Sequence, residues 1–303
     1  MLTSHDKETI EKFLNGKNEI LISFIRQKKA YSNIVYTVQS DKKKYIFKKY
    51  SHNFRDDEIR ILKKLTRPKV YIYGENYRIE EYIEHDKPNL VKDLDLLAKA
   101  LADFHKLKIT KIDTFHDKIR EYIIENQKLR FSPLIDKLYD IFEDKLKNID
   151  NSRVLHMDPQ LGNLLKLPNS IYLIDFEYSC AGDVAIDINN VFFESMTDYD
   201  ADSLLKPERG LTEEQKNDFI RSYIKYCDSN LNFNDFKQKC KDLEDLSHFL
   251  WYLWGRMFYL ENATVSDGFD YLEYPKCRLK MIKDKKAEHV VLELLAEFDQ
   301  FGK

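Results

Sequence analysis

Short segments rich in β-branched and aromatic residues, separated by polar turns, dominate the first part of the chain. Their composition and their alternation of apolar and polar positions predict five strands. Between the third and fourth segments, residues 56–65 carry apolar side chains at helical spacing, which predicts one helix. The predicted strands are residues 20–26, 33–38, 44–50, 69–73 and 77–83.

After a polar stretch at residues 84–88, the apolar periodicity becomes helical. Residues 93–107 begin with Asp93, a favoured helix N-cap residue, and place leucines on one stripe. The pattern predicts an α+β protein with a β-rich part, residues 1–84, and a mostly helical part, residues 85–303. Further helices are predicted within residues 115–149 and over 211–231, 235–261 and 283–301.

A cluster of polar residues stands out between apolar segments in the middle of the chain. Asp158 is followed five residues later by Asn163, and Asp175 ends the next apolar segment. A hairpin of residues 164–167 with 171–174, turning at 168–170, brings the three together. This is the arrangement that phosphoryl transfer needs, because one Asp can orient the acceptor hydroxyl and take its proton while Asn and the second Asp hold Mg²⁺.

These segments resemble the catalytic segments of choline/ethanolamine kinases and aminoglycoside phosphotransferases. Two later segments are similar to eukaryotic-type choline/ethanolamine kinases in particular, and the motifs follow the family's order from about residue 30 to residue 280. The resemblance rests on residues 156–163, 174–178, 186–194 and 249–255.

The resemblance implies a protein-kinase-like two-lobed fold. Its small N-lobe would be a five-stranded antiparallel sheet plus a helix that binds ATP, and its larger, mostly helical C-lobe would hold the catalytic loop and the acceptor pocket. The implied activity is ATP- and Mg²⁺-dependent phosphorylation of the choline hydroxyl to phosphocholine, the first step of phosphatidylcholine synthesis.

The resemblance also implies roles for single residues. Asp158 would be the base, Gln160 would lie near the acceptor hydroxyl, and Asn163 and Asp175 would hold Mg²⁺. Asp187 would brace the catalytic loop from below, and His156 would be a structural anchor rather than a base.

On the nucleotide side, a kinase needs a cation for the phosphates, usually a strand lysine fixed by a helix carboxylate. Alternation along residues 44–50 places Lys48 on an inward-facing side, and Glu58 is its candidate partner. Lys49 takes this role if the register is shifted by one residue.

Ser32 and Asn33 resemble the family's phosphate loop, but the glycines that normally precede them are absent. Because glycines let backbone amides approach phosphates closely, this loop departs from the family pattern. Glu81 falls in the segment that resembles the hinge, where backbone groups would bind adenine.

On the acceptor side, a quaternary ammonium is best held by aromatic faces together with an anion. The chain's two tryptophans, Trp251 and Trp254, are three residues apart and share a helix face. Matched to the choline kinase pattern, they form the acceptor pocket together with Glu194, Tyr199 and Tyr271.

Bulk properties exclude some classes of protein. The formal net charge of −3 shows no excess of the basic residues that bind nucleic acids. The four cysteines have no metal-binding spacing and fit free thiols in a reducing compartment. No apolar run approaches the roughly 20 residues of a membrane span. We therefore expect a cytoplasmic enzyme that acts on a small molecule, with a homodimer as one option.

Four alternatives stay open at this point. An ethanolamine kinase, or an enzyme that uses both amines, shares most of the motifs. An aminoglycoside phosphotransferase would want an acid-rich acceptor site rather than a tryptophan pair. A catalytically inactive scaffold is disfavoured by the intact Asp158, Asn163 and Asp175, although the glycine-poor loop favours it. A protein kinase is disfavoured because no activation segment follows Asp175.

Overall fold

The structure is a computed structural model and describes residues 2–27, 33–50, 56–199, 201, 203–228, 230–262 and 270–301. The chain divides into two compact units, one up to Asp86 and one from Lys87 onward. The predicted division between residues 84 and 85 differs from this one by two residues.

The first unit is built on one antiparallel sheet, and all five predicted strands are present. Its strand order is β1-β2-β3-β5-β4, so the third strand is central and the helix after it connects to the edge strand. The elements are α1 (Ser4–Asn15), β1 (Leu21–Arg26), β2 (Asn33–Ser40), β3 (Lys44–Tyr50), α2 (Asp56–Leu62), β4 (Val70–Tyr73) and β5 (Tyr77–Glu81).

Helix α1 was not expected, so the prediction of a single helix in this part of the chain is wrong. Thr3 caps the helix by accepting a hydrogen bond from the Asp6 backbone N–H, and the Asp6 carboxylate bonds back to the Thr3 N–H. This is a capping box, and Thr3 and Asp6 were its sequence signal. Ile10 and Leu14 then pack into the core of the sheet.

Alternation along β3 sends its side chains to two different environments. Tyr45 and Phe47 are fully buried in the core beneath α1. Lys48 is also buried, although it points to the opposite side of the strand. Both faces of the central strand are therefore covered, and one covered face carries charge.

The second unit is mostly helical, with two pairs of short strands around residues 156–175. Strand β6 pairs with β9 and β7 pairs with β8, each antiparallel. The elements are α3 (Leu94–His105), α4 (Phe115–Leu129), α5 (Pro133–Lys147), β6 (Arg153–Leu155), β7 (Leu164–Leu167), β8 (Ser170–Leu173), β9 (Cys180–Gly182), α6 (Val184–Glu194), α7 (Glu213–Tyr226), α8 (Phe233–Asn262), α9 (Glu273–Lys280) and α10 (Glu288–Phe301).

The predicted hairpin is present, but its second strand is Ser170–Leu173 rather than residues 171–174, and its turn is residues 168–169 rather than 168–170. Three other predictions need correction. Helix α7 is shorter at both ends than residues 211–231, and α10 begins five residues after residue 283. Asp93 precedes α3 but makes no capping hydrogen bond, because its carboxylate instead accepts from the Asn89 N–H and pairs with Lys166.

The fold is therefore mixed α+β, as predicted. All four cysteines are free thiols. Within the described ranges, no helix is both long enough and apolar enough to cross a bilayer.

Candidate active site

The loop between β6 and β7 brings Asp158, Gln160 and Asn163 into direct contact. The Asn163 amide donates to the Asp158 carboxylate at 2.7 Å and to the Asp158 carbonyl at 3.0 Å. The Gln160 amide donates to the same carboxylate oxygen at 3.1 Å. The three residues predicted for the catalytic loop thus form one hydrogen-bonded group that fixes the Asp158 carboxylate.

Asp187 supports this loop from helix α6, as predicted. Its carboxylate accepts hydrogen bonds from the backbone N–H groups of His156 at 2.7 Å and Met157 at 2.8 Å. Met157 has a φ of 73°, a strained conformation for a side-chain-bearing residue. The Asn190 amide also bonds to the Met157 carbonyl at 2.8 Å, so the strained turn is held on both sides.

His156 is an anchor and not a base. Its Nδ1 accepts from the Asp158 N–H, so its Nε2 carries the proton that is donated to the Ile174 carbonyl at 2.9 Å. Burial lowers the pKa of His156, which keeps the ring neutral. Both ring nitrogens serve the backbone, and the imidazole ties the catalytic loop to the strand that precedes Asp175.

Asp175 follows β8 with a φ of 67°, again in the left-handed region. The Ile174 N–H bonds to the Asn163 carbonyl at 3.1 Å, so the hairpin holds the segments of Asn163 and Asp175 side by side. The carboxylate and amide side chains that the resemblance assigns to the metal are therefore carried by neighbouring backbone.

These two residues fit Mg²⁺. The Asn163 Nδ2 faces Asp158, and among the described residues the Asn163 Oδ1 accepts no hydrogen bond from the protein. Mg²⁺ is usually held by one or two protein oxygen ligands, with water and phosphate oxygens completing its shell. In the part of the chain that the structure describes, no cluster of three or more His, Cys, Asp and Glu ligands occurs.

Burial raises the pKa of Asp158 to about 8, and the negative charges of Glu194, Asp175 and Glu177 add to the effect. A carboxyl with a raised pKa in an acid-rich setting is a common feature of catalytic sites. Cations that bind among these carboxylates would stabilise the ionised form of Asp158.

In the first unit, Lys48 and Glu58 are paired as predicted, with Lys48 Nζ 3.5 Å from Glu58 Oε1. The alternative register is excluded, because Lys49 pairs with Asp6 of α1 instead. A second cation, Arg78, was missed. Its Nη1 lies 2.6 Å from the same Glu58 oxygen.

Arg78 lies on β5 directly opposite Lys48, and directly paired strand residues point to the same face. It also donates to Glu80 through Nε at 2.6 Å. The sequence signal for it was the alternation of β5, which sets Arg78 and Glu80 on the face opposite the core residue Ile79.

The structure says less about the other residues that were predicted to bind the nucleotide. Asn33 begins β2 and is buried, whereas Ser32 lies outside the described residues. The Glu81 carboxylate is held by Arg67, and the Glu81 N–H bonds to the Lys69 carbonyl. A role of Glu81 in adenine binding stays a prediction.

On the acceptor side, Trp251 and Trp254 of α8 form an aromatic cluster with two residues that the sequence did not single out, Tyr178 and Tyr274. The two indoles meet edge to face at 5.4 Å. Tyr178 packs edge-on against both, at 5.2 Å and 6.0 Å, and Tyr274 lies 5.4 Å from Trp254. We call these four residues the aromatic cluster.

Tyr271 joins the cluster indirectly, through Phe258, which stacks on Trp254 at 4.4 Å and on Tyr271 at 6.3 Å. The two tryptophans are only 3% and 8% exposed and belong to the main core of the second unit. They therefore support the fold, and their role in the acceptor pocket stays a prediction.

Glu194, at the end of α6, is buried and fully engaged. Its Oε1 accepts from Arg278 at 3.0 Å, and its Oε2 accepts from the hydroxyls of Tyr199 at 2.9 Å and Thr197 at 3.1 Å. Glu194 and Tyr199, both predicted for the acceptor pocket, are thus in direct contact. Arg278 was missed because nothing in its local sequence pattern marks a buried cation.

Two tyrosines of the aromatic cluster, Tyr178 and Tyr274, lie within electrostatic range of the Asp158 carboxylate. Burial raises the pKa of Tyr178, Tyr199 and Tyr274 well above the usual range of tyrosine, and the negative charge of Asp158 contributes in all three cases. Asp158, two tyrosines of the aromatic cluster and Tyr199, the partner of Glu194, therefore lie in the same region of the second unit.

Comparison with known proteins agrees with this chemistry. The model of the family described as Choline/ethanolamine kinase matches residues 24–283. The chain is 28% identical over 255 residues to a protein of Arabidopsis thaliana named probable choline kinase 2, an alignment that covers 75% of this chain and 71% of the relative.

Two solved structures share the fold. An ethanolamine kinase of Plasmodium vivax superposes with a TM-score of 0.70 at 22% identity, covering 91% of this chain and 87% of the other. A choline kinase of Cryptosporidium parvum superposes with a TM-score of 0.70 at 21% identity, covering 97% and 99%. The fold is therefore kinase-like, and the chain belongs to the choline/ethanolamine kinase family.

Proposed function

We propose that this kinase transfers the γ-phosphoryl group of ATP to the hydroxyl of choline, giving phosphocholine and ADP. The observation that carries the choice of choline is the aromatic cluster beside Asp158. A trimethylammonium group offers no N–H donor, and aromatic faces attract it without requiring one.

In the proposed reaction, Asp158 orients the choline hydroxyl and accepts its proton as the oxygen bonds to the γ-phosphorus. The bond from that phosphorus to the β,γ-bridging oxygen breaks, and ADP leaves. Gln160 and Asn163 keep the Asp158 carboxylate in place through the hydrogen bonds described above. Such general-base assistance contributes about 10²–10⁴-fold to a rate.

We further propose that Asn163 and Asp175 hold Mg²⁺, which neutralises phosphate charge when bound. Lys48 is the proposed cation for the nucleotide phosphates, with Ser32, Asn33 and the Glu81 segment completing the ATP site. A cytoplasmic location and a homodimer stay predictions.

Ethanolamine is the second candidate acceptor. The observation in its favour is that Tyr178 and Tyr199, which are only partly buried, offer phenolic oxygens that can accept hydrogen bonds from a primary ammonium.

The test is ADP release by the purified enzyme with choline, ethanolamine or kanamycin as the acceptor, with and without Mg²⁺. We expect the highest kcat/KM with choline, a lower value with ethanolamine and no turnover with kanamycin. The matched control is Asp158→Asn, which keeps the size and one acceptor oxygen of the side chain. A preference for kanamycin, or equal turnover by the variant, would overturn the proposal.

A further inference from the structure

Arg278 is a buried cation that contacts the aromatic cluster through Tyr274 and Trp251. It lies on α9 with a side chain only 1% exposed, and its Nη2 donates to Glu194 Oε1 at 3.0 Å. Within the described residues, Glu194 is its one carboxylate partner. The position therefore combines a buried cation, a single counter-ion and the wall of the acceptor site.

Aromatic rings surround the rest of the guanidinium. Its central carbon lies 3.4 Å from the ring centre of Phe193, 5.3 Å from that of Tyr274 and 5.6 Å from that of Trp251. Across the described ranges, its Nε and Nη1 atoms have no hydrogen-bond partner. Cation–π attraction, the Tyr274 hydroxyl and the one ion pair hold Arg278, and the ion pair directs it toward Glu194.

The contacts leave Glu194 little capacity for a substrate. A carboxylate has about four lone-pair positions, and the hydrogen bonds from Arg278, Tyr199 and Thr197 occupy three of them. The positive charge of Arg278 also cancels the negative charge of Glu194. A primary ammonium entering the site thus finds neither a free carboxylate nor a net negative partner at this position.

We infer that Arg278 is a specificity-determining residue of the acceptor site, which keeps Glu194 occupied and neutralised and so favours a quaternary over a primary ammonium. The inference rests on the proposed function, because it assumes that choline and ethanolamine compete for this site. Without Arg278, Glu194 could pair with the three N–H donors of a primary ammonium, whereas a trimethylammonium could gain only charge attraction.

The experiment measures kcat/KM for choline and for ethanolamine, and their ratio, in the wild-type enzyme and three variants. Arg278→Met removes the charge and keeps much of the length of the side chain. A charge-assisted hydrogen bond changes an equilibrium by about tenfold or more, so the choline-to-ethanolamine ratio should fall by about tenfold in this variant. An unchanged ratio would overturn the inference.

Arg278→Lys is the conservative control, since it keeps a cation opposite Glu194. It should hold the ratio within about twofold of the wild type. A fall as large as that of Arg278→Met would mean that the shape of the guanidinium, and not the neutralisation of Glu194, sets the preference, and would contradict the inference.

The double variant Arg278→Met with Glu194→Gln replaces one neutral pair by another, which avoids an isolated buried charge and remains informative if the single variant does not fold. Its ratio should return to within about twofold of the wild type. If Glu194 instead binds the substrate cation directly, the kcat/KM of the double variant falls more for ethanolamine than for choline. The choline-to-ethanolamine ratio then rises, which would overturn the inference.

Thermal unfolding of each variant separates folding from selectivity, because a purely structural Arg278 changes stability and leaves the ratio alone. The wild-type data test the proposed function separately. If the wild type prefers ethanolamine and Arg278→Met strengthens that preference, choline is wrong and the inference stands. If the wild type phosphorylates neither amine, both the proposed function and the inference about Arg278 are wrong.

Discussion

Each unit of this kinase buries a glutamate against an arginine, Glu58 against Arg78 and Glu194 against Arg278, and the two pairs are balanced differently. Glu58 in the first unit faces two cations, with Arg78 at 2.6 Å and Lys48 at 3.5 Å. Burial would raise the pKa of Glu58, but the two cations outweigh it and lower that pKa to about 2.

Glu194 in the second unit faces one cation, Arg278, at 3.0 Å. Here burial raises the pKa of Glu194, and the charge of Arg278 with the hydroxyls of Tyr199 and Thr197 offsets the effect only in part. Two buried glutamates with similar exposure therefore differ in how firmly they stay ionised.

The difference corresponds to what each unit is proposed to bind. A firmly ionised Glu58 holds cations in place for an anionic nucleotide. Glu194 lies where a cation is proposed to bind, and its own charge is already cancelled by Arg278. Glu58, with two cations, lies in the unit that is proposed to bind an anion. Glu194, with one cation, lies in the unit that is proposed to bind a cation.

The largest expected effect concerns the base that both acceptors share. Asp158→Asn should lower kcat by about 10²–10⁴-fold for choline and for ethanolamine alike, because it removes the proton acceptor and leaves the ammonium site intact. Steady-state kinetics with both amines provide the check. A change in the choline-to-ethanolamine ratio would link Asp158 to recognition of the ammonium group.

The next prediction compares how much Arg78 and Lys48 each contribute to the stability of the first unit. Arg78→Met leaves Glu58 buried with the more distant Lys48 and should lower the free energy of unfolding by about 3–5 kcal/mol. Lys48→Met keeps the closer Arg78 pair, so it should destabilise less and chiefly raise the KM for ATP. Denaturant unfolding and ATP titration of both variants give the comparison, and equal losses of stability would contradict it.

The two acids should also respond oppositely to pH. With its pKa lowered from 4.5 to about 2, Glu58 contributes stability that is present above about pH 4.5 and is lost as the pH falls toward 2. The pKa of Glu194 is raised, so the folded protein binds this proton more readily than the unfolded chain, and the contribution of Glu194 is present at low pH and is lost as the pH rises.

This contrast is measured as the difference in unfolding free energy between wild type and Glu58→Gln, and between wild type and Glu194→Gln, at pH 7 and pH 3.5. The loss of unfolding free energy caused by Glu58→Gln should be smaller at pH 3.5 than at pH 7. The loss caused by Glu194→Gln should not be smaller at pH 3.5. Parallel pH dependences would show that the two pairs are balanced alike.

The smallest effect is expected at the aromatic cluster. Trp254→Phe keeps a ring, so it should raise the KM for choline by a few-fold, within the roughly 0.5–2 kcal/mol of a cation–π contact, and affect ethanolamine less. Because Trp254 is buried in the core, Ala at this position would also cost about 3–5 kcal/mol of stability and confuse the result. If the KM rises equally for both amines, Trp254 packs in the core and does not select between the two ammonium groups.

The sequence predicted the elements that local patterns encode. The five strands, the hairpin after Asn163 and the placement of Lys48 opposite Glu58 follow from alternation and spacing over a few residues. The support of the catalytic loop by Asp187 was implied by the family resemblance and is confirmed by its two backbone hydrogen bonds.

The residues it missed depend on contacts between distant segments. Arg278 lies 84 positions from Glu194 along the chain, and Tyr274 and Tyr178 meet the tryptophans from separate elements. Helix α1 is different, because Thr3 and Asp6 carried a readable capping signal. Arg78 was also readable in principle, since it is the register partner of Lys48.

The measurement that tests the central claim most directly is product analysis from an equimolar mixture of choline and ethanolamine with ATP and Mg²⁺, using the wild-type enzyme. The ratio of phosphocholine to phosphoethanolamine at low conversion equals the ratio of the two kcat/KM values. The account predicts that phosphocholine is the main product, and that Arg278→Met shifts the mixture toward phosphoethanolamine. Phosphoethanolamine as the main wild-type product, with no shift in the variant, would contradict it.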